Sequence, residues 1–252
     1  MLEYRNVSVS CQRTPILEDI SLSFPEGKIT TIIGPNGCGK TTLLQCLNGV
    51  SKVTSGNIFL HGEDFLKFSP KERARKLSFL PQVRRVIPTL PVRTLVEHGR
   101  FPYLGFARKK SKEDIDLVAK AMDFTDVTPY ADQYADTLSG GIRQRVFFAM
   151  TLAQNCDVIV LDEPTTYLDM PAQRDFMLLL DKLRSQKKTI ILTLHNLNHA
   201  LQISDYLVVM EERKIAACAT PAECLRQNVI EDVFHMSWKR FEDADGIYYF
   251  FE

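Results

Sequence analysis

The sequence lacks the features of a membrane-spanning or disulfide-bonded protein. No apolar run approaches the roughly 18 residues that a membrane helix needs, and no hydrophobic signal stands at the N-terminus. A mature protein whose leader had been removed would look the same, but a cytoplasmic protein is the simpler interpretation. The six cysteines include no C-x-x-C pair. We therefore expect neither disulfides nor zinc, but small buried thiols in a reducing compartment.

An excess of charge of either sign is also missing, since 31 Lys and Arg balance 31 Asp and Glu. Nucleic-acid-binding proteins usually carry a basic stripe, so nucleic acid is not an expected partner. One basic cluster at 108–112 could touch phosphates, but acidic residues follow it at once, which favours a solvated loop. No internal repeat is visible, and 252 residues suffice for one domain or two lobes.

The most informative segment has the sequence GPNGCGKTT and matches the phosphate-binding pattern G-x-x-x-x-G-K-[ST]. Glycines let backbone N–H groups approach a polyphosphate, the lysine adds charge for the β- and γ-phosphates, and the first threonine hydroxyl can ligate Mg²⁺. A strand is predicted before the segment and a helix after it. The segment therefore predicts a nucleoside triphosphate site. Its candidate binding residues are Gly34, Pro35, Asn36, Gly37, Cys38, Gly39, Lys40, Thr41 and Thr42.

Two carboxylates follow a second apolar strand, in the sequence DVIVLDEP. Asp162 is placed to hold Mg²⁺, directly or through water. Glu163 could accept a proton from the attacking water or orient it. Such strand ends are common, but the phosphate loop 122 residues earlier, counted from Lys40 to Asp162, favours a nucleotide site.

Apolar runs separated by helical segments predict an α/β fold with a mainly parallel sheet covered on both faces. These runs are Ile29–Ile33, Val158–Leu161, Thr189–Leu194 and Leu207–Met210. Helix starts are predicted at Ser69-Pro70 and Thr220-Pro221, where an N-cap, a proline and a capping-box Glu occur together. Between 83 and 150 the patterns are mainly helical, and Trp238–Phe251 is typical of a hairpin.

The segment LSGGIRQR, Leu138–Arg145, could be an N-cap with flexible glycines, or a second anion site at a helix N-terminus. Together with GPNGCGKTT and the acidic strand end, it resembles the ATPase subunit of ATP-binding cassette (ABC) transporters, over residues 1 to about 235. The resemblance implies two subunits paired head-to-tail. Each ATP would then lie between one phosphate loop and Ser139, Gly140 and Gly141 of the other subunit.

The resemblance also assigns three further positions. Gln82, in FLPQ, corresponds to the glutamine that reaches Mg²⁺ and the attacking water and that begins the segment sensing the membrane partner. Asp169, in Tyr167–Asp169, fits the loop that crosses the dimer interface. His195, 32 residues after Glu163, fits the switch histidine on the γ-phosphate. Catalytic roles are thus implied for Glu163, His195 and Gln82, and Mg²⁺ contacts for Thr41, Gln82 and Asp162.

The implied organisation is one P-loop ATPase domain with an N-terminal antiparallel β part. Residues 1–82 and 151–235 would form the nucleotide-binding core, 83–150 an inserted helical subdomain, and 236–252 a hairpin-like tail. Strings such as DEPTTYLD are similar to those of ATPases serving importers of ferric siderophores, haem or cobalamin. The expected partners are a second copy, membrane permease subunits and, indirectly, an exported substrate-binding protein. The expected place is the cytoplasmic face of the membrane.

Three positions depart from the family pattern. Cys11 stands where many relatives stack an aromatic ring on adenine, so Arg13 would have to cover the base, or base selectivity would be weak. Ile142 replaces the glutamine that is usual in the signature segment of the family, which is Leu138–Arg145 here. Asn196 replaces the usual aspartate after the switch histidine. None of these changes removes a phosphate, metal or base function, so an active ATPase is expected.

Other members of this superfamily are weaker alternatives. DNA-repair and chromosome-structure ATPases carry long coiled coils between the positions of Gln82 and Leu138, whereas only 56 positions separate them here. Translation-associated relatives normally carry two cassettes. A soluble ATPase of iron–sulfur cluster assembly, or an importer ATPase for another substrate, remains an alternative.

Overall fold

A computed structural model describes residues 1–12, 14–82, 87–105, 109–166, 168–243 and 246–252. The strands are β1 (Leu2–Cys11), β2 (Thr14–Phe24), β3 (Ile29–Ile33), β4 (Ser55–Leu60), β5 (Glu63–Asp64), β6 (Leu77–Leu80), β7 (Val158–Leu161), β8 (Thr189–Thr193), β9 (Tyr206–Glu211), β10 (Lys214–Ala219), β11 (Trp238–Asp243) and β12 (Gly246–Phe251). The α-helices are α1 (Lys40–Asn48), α2 (Pro70–Lys76), α3 (Val92–Glu97), α4 (Lys112–Phe124), α5 (Gly140–Ala153), α6 (Met170–Ser185), α7 (Leu197–Ile203), α8 (Pro221–Arg226) and α9 (Val229–Phe234). Within the described ranges, every helix is too short or too polar to cross a bilayer.

The first compact unit comprises Met1–Lys67 and Ile191–Glu252. Its N-terminal sheet has the strand order β2-β1-β4-β5, and β1 pairs antiparallel with β2 and β4. Leu2 on β1 faces Phe24 on one side and Leu60 on the other, and all three side chains are buried. This sheet confirms the antiparallel N-terminal part that the resemblance implied.

A second sheet of this unit carries the phosphate loop. Its strand order is β10-β9-β3-β8, and β3 runs parallel to β9, with Thr30 opposite Tyr206 and Ile33 opposite Val209. Every residue of β3 is buried, as expected for a central strand of a parallel sheet covered on both faces. The chain leaves β3 through the loop and enters α1 directly.

The second compact unit is Phe68–Ile190. Its strands lie in the order β8-β7-β6, and β6 and β7 run parallel. Only the first two residues of β8 belong to this unit. Helices α3, α4 and α5 pack together in this unit. Their packing encloses an ion pair that the sequence did not reveal: buried Arg100 donates from Nε to Asp114 Oδ1 at 2.8 Å and from Nη1 to the Ala153 carbonyl at 2.9 Å.

Most predicted elements are confirmed. The four apolar runs form β3, β7, β8 and β9, and reciprocal capping boxes begin α2 at Ser69 and α8 at Thr220. The tail forms the predicted hairpin of β11 and β12. The predicted α/β class is therefore correct. All six cysteines are free, as expected, but Cys11 and Cys218 are exposed rather than buried.

Candidate functional site

Glycine is required at two points of the phosphate loop by close backbone packing. A Cβ at Gly34 would lie 2.3 Å from the carbonyl oxygen of Met210 on β9. A Cβ at Gly39, where φ is 107°, would lie 2.6 Å from Leu17 Cδ2 and 3.0 Å from the Ile16 carbonyl oxygen. The loop therefore packs so closely against β2 and β9 that a side chain at either glycine would clash with them.

The loop forms a cradle for an anion at the start of α1. Gly39 caps this helix without a side-chain hydrogen bond, and the first turn contains no acidic residue. The positive dipole end of α1 lies at this loop and favours an anion such as phosphate. Thr41 and Thr42 are half-buried in this first turn.

Lys40 lies against its own loop and is only 7% exposed. Its ammonium donates hydrogen bonds to the carbonyl oxygens of Gly34 at 2.8 Å and Pro35 at 3.0 Å. These neutral acceptors hold the charge beside the cradle without neutralising it. The donor set thus suits a polyphosphate.

Cys38 sits inside the loop as a neutral thiol. Burial raises its pKa, although the nearby Lys40 ammonium acts in the opposite direction. A thiolate here would repel phosphate, so the raised pKa favours anion binding. A cavity of about 500 Å³ lies beside residues 35–38 in the same unit.

The acidic pair follows β7 in the second unit. Asp162 is 2% exposed, and its backbone N–H donates to the Leu80 carbonyl oxygen at 2.9 Å, which extends the pairing of β6 and β7. Glu163 adopts a positive φ of 47° immediately after it. Non-glycine residues adopt this left-handed conformation infrequently, and such residues cluster at functional sites.

Glu163 is oriented by two donors of the same unit. The Gln82 side-chain amide donates a hydrogen bond to Glu163 Oε2, and the Thr166 hydroxyl donates to the same oxygen at 3.0 Å. Two predicted catalytic residues, 81 positions apart, therefore touch directly. Thr166 belongs to the site but was missed, because its role depends on how the turn folds.

Gln144 is a second residue that the sequence did not single out. It lies on α5, within the signature segment, and its amide donates to the Pro164 carbonyl oxygen at 2.7 Å. The contact links the signature helix to the turn that carries Glu163. Its only sequence signal was its place in LSGGIRQR.

The second unit also brings the signature residues and Asp169 together. Ser139, Gly140, Gly141 and Asp169 line one cavity of about 510 Å³. Ser139 caps α5 by accepting from the Ile142 N–H at 3.5 Å, and Asp169 caps α6 by accepting from the Ala172 N–H at 3.0 Å. Two capped helix N-termini therefore face the same space.

The departures from the family pattern have different structural settings. Asn196 caps α7 by accepting from the His199 N–H at 3.2 Å, a role in which asparagine and aspartate are about equal. His195, just before it, is exposed and belongs to the first unit, as does the phosphate loop. Cys11 is exposed at the end of β1. Arg13 and Tyr167 lie outside the described residues.

The residues suit a magnesium ion only if a nucleotide supplies further ligands. Among the described residues, no group of three or more His, Cys, Asp or Glu side chains could hold a metal by itself. Mg²⁺ is commonly held by one or two carboxylates together with substrate phosphates. The buried carboxylate of Asp162 fits that mode.

Comparison with known proteins shows the family of the chain. A family model described as ABC transporter matches residues 17–166. The iron(3+)-hydroxamate import ATP-binding protein FhuC of Bacillus subtilis (strain 168) is 38% identical over 88% of this chain and 82% of its own length. The petrobactin import ATP-binding protein FpuD of Bacillus anthracis is 39% identical over 93% of this chain and 86% of its own length.

Two solved structures have the same fold. An inward-facing ABC transporter classed as of the metal-chelate type superposes with a TM-score of 0.86 and 25% identity, covering 100% of this chain and 96% of the other. A dimeric ATP-binding cassette in a post-hydrolysis state, with ADP and phosphate bound, has a TM-score of 0.77 and 26% identity. That match covers 88% of this chain and 99% of the other.

Proposed function

This chain belongs to the ABC transporter family, and we propose that within it the chain is the ATP-hydrolysing subunit of an importer for ferric siderophores. Membership confirms the predicted ATP-binding subunit and its ATPase activity. The observation that carries the cargo class is the similarity, over nearly the whole chain, to import proteins named for iron hydroxamate and petrobactin. Haem and cobalamin are the alternative cargoes.

We propose that Gly34–Thr42 binds the phosphates of ATP. Lys40 would neutralise the β- and γ-phosphates, and Thr41, Asp162 and Gln82 would hold Mg²⁺. When bound, Mg²⁺ would offset negative charge on the phosphate oxygens. His195 contacts the γ-phosphate. Support comes from the preformed cradle and from the buried carboxylate after β7.

Glu163 is proposed as the general base for the attacking water. Its Oε2 atom accepts hydrogen bonds from Gln82 and Thr166, which fix its direction. A held carboxylate can take the proton of a water aligned for in-line attack. Because its amide is bonded to Glu163, Gln82 would lie beside that water and help to position it.

A second copy of the chain would complete each site. The space lined by Ser139, Gly140, Gly141 and Asp169 opens on two helix N-termini, which suit the γ-phosphate of an ATP held by the partner. ATP would then favour the closed dimer through contacts that the open state lacks. The dimeric cassette among the similar structures supports this arrangement.

The remaining partners are proposed from family membership. Permease subunits would receive the motion through the helical subdomain, residues 83–150, at the cytoplasmic face of the membrane. An exported binding protein would deliver the cargo. If the chain instead served iron–sulfur cluster assembly, it would purify with soluble partners and not with membranes.

Uptake in the source organism tests the cargo. Replacing the chromosomal gene by its Glu163→Gln variant should abolish uptake of radioactive iron supplied as a ferric siderophore, because the permease would no longer be driven. Haem and cobalamin uptake, measured in the same strain, should stay at the parental level. Unchanged siderophore uptake, or selective loss of one of the other two, would overturn the proposed cargo.

Mixing two defective variants tests the shared site. Ser139→Arg should block closure without emptying its own phosphate loop, because the added bulk meets the partner's ATP. Lys40→Ala should damage the loop instead. A heterodimer of the two retains one intact composite site, so the mixture should regain part of the ATPase activity that each variant lacks. As the control, each variant is mixed with itself at the same total concentration. Activity in Ser139→Arg alone at the wild-type level would contradict a site shared between chains.

A further inference from the structure

The C-terminal hairpin contacts the rest of the first unit through both of its strands. β11 and β12 pair antiparallel, from Trp238 opposite Phe251 to Asp243 opposite Gly246. The Trp238 indole donates to Glu231 on α9, and the Tyr249 backbone N–H donates to Asn198 Oδ1 at 3.1 Å. The outer side of β12 therefore already has a partner from α7.

The outer edge of β11 is free among the described residues, since β11 and β12 form a two-stranded sheet. Ser237 and Glu252 exchange both backbone hydrogen bonds just before the hairpin. Hydrogen-bonded and non-hydrogen-bonded pairs alternate along an antiparallel ladder. The backbone N–H and C=O groups of Arg240 and Glu242 consequently point away from β12, where another strand could pair with them.

The charge order along this edge is symmetric. Residues 239–243 read Lys-Arg-Phe-Glu-Asp, with two basic residues before Phe241 and two acidic residues after it. If a second β11 lies antiparallel with Phe241 opposite its own copy, Arg240 faces Glu242 of that copy. By sequence, Lys239 then stands opposite position 243, which is acidic. Charged residues usually protect an edge from pairing, but this order places Arg240 and Glu242 of each copy opposite their complements, while Lys239 pairs with Glu252 of its own chain at 2.5 Å.

Neighbouring registers are disfavoured by the same charges. A slip of two residues that centres the pair on position 240 places Arg240 opposite Arg240. The opposite slip places Glu242 opposite Glu242. Like charges directly opposite each other destabilise a sheet, and a slip of one residue turns every side chain to the other face. The register centred on Phe241 is therefore selected, and it places the outward backbone groups of Arg240 opposite those of Glu242.

The exposed side chains agree with this register. Phe241 is 57% exposed and Phe250 is 56% exposed. Phe250 lies opposite Lys239 on β12, so both phenylalanines are on the same face of the hairpin. The side chains of Arg240 and Glu242 are 51% and 63% exposed and pair with each other at 2.7 Å, so both are accessible to a second strand.

We propose that β11 is a self-association surface that pairs with β11 of a second copy of this chain, across a two-fold axis at Phe241, to form a four-stranded sheet. The contact is isologous, because each copy contributes the same edge. It involves neither the phosphate loop nor Ser139, and so needs no nucleotide.

Charge reversal and charge exchange test this pairing. Dimer dissociation constants are measured by analytical ultracentrifugation without nucleotide, in a Ser139→Arg background that removes closure around ATP. Arg240→Glu should raise the dissociation constant about tenfold, because two attractive pairs become repulsive. The exchanged variant Arg240→Glu/Glu242→Arg should return to within about twofold of the parent, since its strand is again self-complementary. A monomeric parent, or an exchanged variant as weak as the single one, would overturn the proposal.

Cross-linking tests the register. In a Cys11→Ser/Cys218→Ser background, Phe241→Cys should form an intermolecular disulfide, because opposite residues of a non-hydrogen-bonded pair have Cα atoms about 4.5 Å apart. Lys239→Cys is the matched control on the same face, and its two copies would be about 14 Å apart. A dimer band for Phe241→Cys alone supports the pairing, whereas equal cross-linking of both variants, or of neither, refutes it. Equal melting temperatures would show that every variant is folded.

Discussion

Glu163→Gln should bind ATP with near wild-type affinity and hydrolyse it about 10²- to 10⁴-fold more slowly. The substitution keeps the size of the side chain and its place beside Gln82 and Thr166. It removes the negative charge that takes the proton of the attacking water. The trapped enzyme should accumulate as an ATP-bound dimer. Single-turnover hydrolysis and size-exclusion chromatography with ATP measure the two effects.

Glu212→Gln is the matched control for replacing a glutamate whose backbone has a positive φ. Glu212 is an exposed glutamate that also has a positive φ, 41° against 47° at Glu163. It lines the cavity beside residues 35–38, but it has no proposed role in handling the water or Mg²⁺. Its hydrolysis rate should equal that of the wild type. If Glu163→Gln turned over at a near-normal rate as well, another group would have to handle the water.

Lys40→Ala should weaken ATP binding by about 10- to 100-fold, since charge-assisted hydrogen bonds to phosphate contribute roughly 1.5–3 kcal/mol. The ammonium now held by the carbonyl oxygens of Gly34 and Pro35 is the only basic group within the loop segment 34–42. Its loss removes the one side-chain cation of the loop, while the dipole of α1 and the proposed Mg²⁺ contacts remain to attract the phosphates. Titration with a fluorescent ATP analogue measures the change.

Lys28→Ala supplies the comparison. Lys28 precedes the same strand, β3, and pairs with Asp205 at 3.4 Å, with its side chain 49% exposed. Removing it deletes an equal charge outside the cradle, so affinity should not change. Wild-type affinity and hydrolysis in Lys40→Ala would refute the phosphate-loop assignment. An equal loss of affinity in both variants would point to general electrostatics instead.

Local chemistry explains why the sequence predicted so much. The strand, the loop and the helix around Gly34–Thr42 are contiguous, so their pattern can be recognised without knowledge of the rest of the fold. The capping boxes at Ser69 and Thr220 are likewise complete within four residues, and both form. The hairpin needed only alternation and a turn. Each of these features depends on residues close together in the chain.

Features that depend on distant residues were not predictable in this way. The buried pair of Arg100 and Asp114 gives no periodic signal, and Gln144 and Thr166 became part of the site only through their contacts with Pro164 and Glu163. The exposure of Cys11 and Cys218 depends on which side of a strand faces the core. Side-chain type alone favoured burial for both.

The sequence by itself determined the family and the α/β class, and it predicted which residues would bind phosphate and which carboxylates would serve the site. Tertiary structure alone decided which of them meet: the Gln82 amide on Glu163, and Ser139 with Asp169 around one cavity. It also decided that, within the part of the chain that the structure describes, the edge of β11 has no strand partner while Asn198 contacts that of β12. The physical reason is the distance along the chain over which each kind of constraint acts. Motifs record short-range constraints on backbone shape and charge, whereas contacts between distant segments arise only when the packed core sets their separation.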